Sequence, residues 1–189
     1  MDVRTRIPTL YGDWIDKHGP TWAAQIEGIL AKFGNKILSV EVPPAAATDV
    51  PILRVEPSAL PEILAFLKVE PGYEYGFLAD YTASDETPRK PRFDLILNLF
   101  SHTKLCRIRV KAGVAEGSEA PTLIGVWDGA NWSEREIWDM FGIRFTGHPD
   151  LRRILMDERW VGHPLRKDYP LRGYQIQSIP EPIDPEMLK

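Results

Sequence analysis

Residues 92–111 read RFDLILNLFSHTKLCRIRVK, and this run decides the fold. Phe93, Leu95, Leu97 and Leu99 alternate with Asp94, Ile96, Asn98 and Phe100, the period of two of a β-strand. Past a turn around His102-Thr103, Cys106, Ile108 and Val110 stand opposite Arg107, Arg109 and Lys111. Two such runs joined by a short turn make a hairpin. One face is apolar and the other partly polar, as in an antiparallel sheet with helices on one side.

Working toward the N-terminus, Tyr75–Thr82 is a further strand, and SDETPRKP at 84–91 is a polar loop expected to be mobile. Ser58 opens a helix with Leu60, Ile63, Leu64 and Leu67 on one face, Pro61 being tolerated in the first turn. Pro51–Val55 and Lys36–Val42 are strands separated by the loop PPAAATDV. A helix from Thr21 carries Trp22, Ile26, Ile29, Leu30 and Phe33 on one stripe, with Gly34 and Asn35 suited to its C-terminal cap. Residues 1–20 are irregular, broken by Pro8, Gly12, Gly19 and Pro20.

Toward the C-terminus, AGVAEGSEAP at 112–121 is a loop and Pro121–Trp127 a helical turn. Ser133 and Glu136 have the spacing of a capping box, as do Asn131 and Glu134, so a helix starts there. It buries Ile137, Trp138 and Phe141, pairs Arg135 with Asp139 at i, i+4, and stops at Gly142. Pro149, Pro164, Pro170, Pro180, Pro182 and Pro185 forbid a long helix beyond it. The fold class is therefore α+β: a small mixed or antiparallel sheet with helices packed on it, then an extended Pro-rich segment. The division runs 1–20 (irregular), 21–146 (domain) and 147–189 (partner-binding tail).

Composition narrows the function. A 43% apolar fraction over 189 residues supports a core. Net charge −4 with pI near 5.6 argues against a general nucleic-acid binder. One cysteine, Cys106, cannot hold a cluster or a zinc knot by thiolates and points to a reducing cytosol. It alternates onto the apolar face of its strand, as a structural thiol. No run of 18 uncharged apolar residues spans a membrane, and the N-terminus lacks signal or transit character.

The run 131–171, NWSEREIWDMFGIRFTGHPDLRRILMDERWVGHPLRKDYPL, mixes charges, large rings and two His-Pro pairs, a composition that suits a surface covered by another macromolecule. NW at 131–132, ERE at 134–136, DMFGI at 139–143, GHPDLRRIL at 147–155 and GHPLRKDYPL at 162–171 resemble the signature of the 30-kDa subunit family of respiratory complex I, the NADH–quinone oxidoreductase. Ser133 and Trp138 depart from its usual residues without removing a charged position. A weaker likeness in element order covers most of 21–130.

The resemblance implies a scaffold subunit in the peripheral arm of a proton-translocating complex of the respiratory chain, with no catalytic residue, cofactor or metal of its own. FMN and iron–sulfur clusters would sit on partner chains, with NADH and quinone as the substrates of the whole. Its partners would be the hydrogenase-like large subunit of 49-kDa type and adjacent iron–sulfur subunits. Its place would be the cytoplasmic side of a bacterial inner membrane, held there peripherally by partners. The alternative is the same module in a membrane-bound hydrogenase or another complex-I-like quinone-reducing assembly.

Candidate partner-binding residues are Glu134, Arg135, Glu136 and Asp139 on the helix, then His148, Asp150, Arg152 and Arg153. Trp160, His163, Arg166, Lys167, Asp168 and Tyr169 complete the set. Arg152, Arg153, Arg166 and Lys167 can pair with partner carboxylates, and Trp160 and Tyr169 can anchor in pockets. Reversing Arg152 and Arg153 to Glu is expected to disrupt assembly. Competing readings are weaker. His148 and His163 each precede a Pro and lack helical ligand spacing, which disfavours a metal. Glu134 and Glu136, at i and i+2, point apart and cannot readily share a proton.

Overall fold

The computed structural model describes residues 20–41 and 50–174. The elements run α1 (Pro20–Phe33), β1 (Ile37–Glu41), β2 (Ile52–Val55), α2 (Leu60–Val69), β3 (Phe77–Asp85), β4 (Phe93–Ser101), β5 (Cys106–Val114), β6 (Glu119–Pro121), α3 (Ala130–Phe141) and β7 (Arg144–Thr146). The fold is α+β, as the alternation indicated. The irregular reading of residues 1–20 lies outside the described residues but for Pro20, which opens α1; the loop 43–49 and the tail after Tyr174 lie outside them too.

Five strands make one sheet in the order β1-β2-β5-β4-β3. The hairpin read from residues 92–111 is its centre, with Leu97 opposite Val110 and Leu99 opposite Ile108. All pairs are antiparallel except β2 with β5, which makes the sheet mixed. Leu53, Leu95, Leu97, Leu99, Ile108 and Val110 point to the buried face. Ile26 and Ile29 of α1, Ile63, Leu64 and Leu67 of α2, and Ile137 and Phe141 of α3 complete the same core. Each fully buried aliphatic side chain stabilises by up to about 1.5–3 kcal/mol. The core also holds a paired polar group: the Tyr75 hydroxyl donates to Gln25 Oε1 at 2.9 Å and receives the Cys106 thiol at 3.3 Å.

Four local expectations are corrected. Ser58 does not cap α2: a 3₁₀ turn, Pro57–Ala59, leads into that helix with no side-chain cap. The 84–91 loop starts two residues later than expected. Asp85 ends β3, accepts the Thr87 N–H and hydroxyl, and is paired with Arg92 at 2.7 Å. The 112–121 segment is shorter as a loop than its composition implied, since β5 runs on to Val114 and Glu119–Pro121 pairs in parallel with β7. Gly113 interrupts the alternation because the Pro91 ring lies against it, where a Cβ would stand.

The fourth correction concerns α3. Neither capping box forms: the helix begins at Ala130, with Gly129 at its N-cap and no side-chain cap. A succession of turns, Trp127 N–H to Leu123 O and Ala130 N–H to Trp127 O, delivers the chain into helix before Ser133 is reached. At the other end Gly142 stops the helix as expected, at φ +80°. Its conformation favours glycine, and the His163 ring lies 2.6 Å from the place of a Cβ.

Candidate partner interface

Beyond β7 the described chain, 147–174, has neither helix nor strand. It is held to the domain at two clamps, both built on buried carboxylates.

The first clamp is Asp139 of α3, whose side chain is wholly buried. One carboxylate oxygen accepts the backbone N–H groups of Ile154, Leu155 and Met156 at 3.1, 2.8 and 2.9 Å. The other takes Arg153 Nη1 at 2.5 Å. Arg153 also donates to the carbonyls of Trp160 and Gly162, at 2.8 and 3.1 Å, and its guanidinium lies over the Trp138 ring. His163 Nδ1 donates to the Asp139 carbonyl at 2.9 Å. Burial alone would raise the Asp139 pKa, but the Met156 amide, Arg153 and the other two amides together hold it below the ordinary range.

The second clamp joins the β3–β4 turn to the tail. Arg92 pairs with Asp85, with Glu116 at 3.0 Å and with Asp168 at 2.9 Å. Arg166 pairs with Asp168 at 3.1 Å and with Glu116. The Lys167 N–H donates to Asp85 at 2.9 Å. Arg92 beside them holds the Asp85 and Asp168 carboxyls far below the usual carboxylate range.

Several expected site residues therefore serve the chain itself. Glu134 and Asp139, expected at a partner surface, are both fully buried within their own domain. Glu134 caps nothing on its own helix. It accepts the Leu123 N–H and the Thr122 hydroxyl, both at 2.6 Å, and fixes the turn before α3. Burial pushes its pKa up to about 6 despite these two bonds. Arg135 does not pair with Asp139. It donates to the carbonyls of Arg152 and Arg153, at 3.2 and 3.1 Å. Arg153 and Arg166 lie in the clamps rather than free for a partner. His148 accepts the Asp150 N–H on Nδ1 at 3.0 Å, so its Nε2–H donates to Asn131 O at 3.3 Å. Among the described residues, no cluster of three His, Cys, Asp or Glu side chains has metal-binding geometry.

The outward side of the same segment has different chemistry. The clamps fix its backbone; Leu151 and Met156 pack inward against the core, while other apolar side chains turn out. Leu155, whose N–H is held by Asp139, is 60% exposed. Leu165, whose N–H donates to Met140 O, is 55% exposed. Trp132 on α3 is 62% exposed, with the Arg135 guanidinium over its ring. Glu136, Asp150, Arg152 and Lys167 are exposed beside them, and Trp160 and Tyr169 are half-buried. Asp150 and Arg152 pair at 2.9 Å in solvent, a contact worth about 0–1 kcal/mol. Sequence reading missed Leu155, Leu165 and Trp132 because single apolar residues between charges show no period. It missed Asp85, Arg92 and Glu116 because their partners in the tail lie 50 to 82 positions away.

Residues 53–175 match the family described as respiratory-chain NADH dehydrogenase, 30 Kd subunit. The chain is 43% identical over 155 residues to a NADH-quinone oxidoreductase subunit of Rhizobium meliloti, covering 82% of this chain and 83% of that protein. It is 46% identical over 120 residues to the mitochondrial NADH-ubiquinone oxidoreductase 30.4 kDa subunit of Neurospora crassa, covering 64% of this chain and 42% of that one. Among solved structures it resembles a chain of an archaeal membrane-bound sulfane sulfur reductase at TM-score 0.59 and 20% identity, over 79% of this chain and 85% of the other. That last likeness is one of fold.

Proposed function

The chain belongs to the 30-kDa subunit family of respiratory-chain NADH dehydrogenase, and from that premise we propose that it is a structural subunit in the peripheral arm of a complex-I-type NADH–quinone oxidoreductase. It contributes no redox centre. FMN and iron–sulfur clusters belong to neighbouring subunits, and electrons pass from NADH to quinone, with coupled proton translocation, through those neighbours. No described helix is long and apolar enough to cross a membrane. On this reading the subunit is held at the cytoplasmic face of a bacterial membrane by its partners.

One observation carries the structural part of this reading. The segment 148–174 is bound to its own domain through backbone and buried charge, leaving Leu155, Leu165, Leu171 and Tyr174 turned outward in one run of chain. Exposed apolar side chains on a segment whose backbone is pinned suit a protein contact. Its partner on this reading is the hydrogenase-like large subunit, with iron–sulfur subunits adjacent. Preordering by the clamps lowers the entropy lost on binding.

The test is affinity purification of the N-terminally tagged chain from gently solubilised membranes. Co-elution of flavin, iron–sulfur absorbance and NADH:quinone activity supports the reading. A partner set that carries nickel and evolves hydrogen would transfer the subunit to a hydrogenase assembly, and a chain recovered alone would defeat both.

A further inference from the structure

The three helices and the buried side chains of the sheet share one core, and the opposite face of the sheet carries no helix among the described residues. Strand register places its side chains in rows. Phe77, Phe100 and Arg107 stand side by side; in the next row Asn98 and Arg109 are followed by Ile52; beyond them Ile96 faces Lys111. Arg107, Arg109 and Lys111 thus form a line of cations down β5, with about 7 Å between successive members.

Two features distinguish this line from an ordinary solvated face. First, none of the three cations has an acidic partner within 4.0 Å among the described residues, whereas Arg54 and Arg89 on the same face share Asp94. Arg109 Nε donates to the side-chain oxygen of Asn98 at 2.7 Å, whose NH₂ in turn donates to Asp80 at 3.3 Å, the one carboxylate lining this groove among the described residues, and Arg107 lies over the Phe100 ring. This charge is opposite in sign to the chain's net −4. Second, apolar surface adjoins it. Phe77 is 51% exposed, and its ring and that of Phe100 both meet His102 edge-on, at 5.6 and 4.9 Å. Between these rings and the arginines lies an open groove of about 550 Å³.

We infer that this face is a second docking surface, separate from the tail, which takes an acidic segment of a partner protein bearing apolar side chains. Carboxylates answer the line of cations that has no acidic partner among the described residues, and the ring cluster supplies an apolar seat beside them. Arginine over an aromatic ring is a common anchor at such contacts.

Arginine-directed labelling with phenylglyoxal, applied to the free full-length chain and to the assembled complex, reads the occupancy directly. The expected result is modification of Arg107 and Arg109 in the free chain and its loss in the complex. Zero-length carbodiimide coupling then names the occupant, and Lys111 is expected to link to an Asp or Glu of a different protein chain. Equal labelling in both states would overturn the proposal. So would links from Lys111 only to carboxylates of residues 1–19, 42–49 or 175–189 of this chain, or to a second copy of it. Protection that vanishes on removal of anionic lipid, without any protein cross-link, would overturn it too.

Discussion

Replacing Asp139 by Asn keeps the shape of the first clamp and removes its charge. The carboxylate serves four donors at once, three backbone amides on one oxygen and Arg153 on the other. An amide offers one acceptor oxygen. If that oxygen stays with the three N–H groups, the new NH₂ faces the Arg153 guanidinium; if it turns to Arg153, the three amides face the NH₂. Removing one partner of a buried pair costs about 3–5 kcal/mol when the other stays buried. Here the tail can lift and let water reach Arg153, so about 3 kcal/mol is the expected cost to docking. That corresponds to roughly a hundredfold shift in the docked-to-open ratio. Hydrogen exchange of the free chain reads it: the amides of residues 154–156 should exchange about a hundredfold faster in Asp139→Asn, with β4 amides unchanged. Because the folded pKa of Asp139 is lowered, its contribution is full above the ordinary carboxylate range and is lost as pH falls through the folded value. Variant and parent should therefore converge in strong acid. Unchanged exchange at 154–156 near neutral pH would refute the clamp.

Two other perturbations have defined outcomes. Gly142→Ala places a Cβ at positive φ and against the His163 ring, and should lower stability by about 1–3 kcal/mol in denaturant unfolding. Glu134 has a folded pKa raised to about 6 by burial, so its ionised form opposes folding above that pH and the penalty fades as pH falls toward 4.5. Glu134→Gln can keep the Leu123 N–H bond on its oxygen and reverse the other, its NH₂ donating to the Thr122 hydroxyl oxygen, and should raise thermal stability at pH 7.5 by on the order of 1 kcal/mol, with no gain at pH 4.5.

The sheet was legible in sequence because its information is local. Residues 106–111 alternate strictly, residues 93–99 place Phe or Leu at every second position, and α2 shows its buried stripe in four leucine and isoleucine positions. The helix stop at Gly142 was equally plain. The start of α3 was not, because Ser133 and Glu136 match a capping pattern while the preceding turns already commit the chain to helix. Distant pairing defeated the rest. Nothing near Asp85 in sequence reveals that it holds the Lys167 amide, and nothing near Asp139 reveals that its carboxylate gathers residues 153–156. The signature residues from 134 to 169 were visible as a group. That Glu134 and Asp139 face inward, while Leu155 and Leu165 face outward, depends on how the tail folds back.

That two-sidedness is the central claim, and the double variant Leu155→Asp/Leu165→Asp tests it most directly. Both side chains are exposed and absent from the clamps, so the free chain should melt and exchange like the parent. Expressed in place of the parent, the tagged variant should lose the co-eluting flavin, iron–sulfur absorbance and NADH:quinone activity. Recovery of a fully active complex with the variant in place would contradict the account.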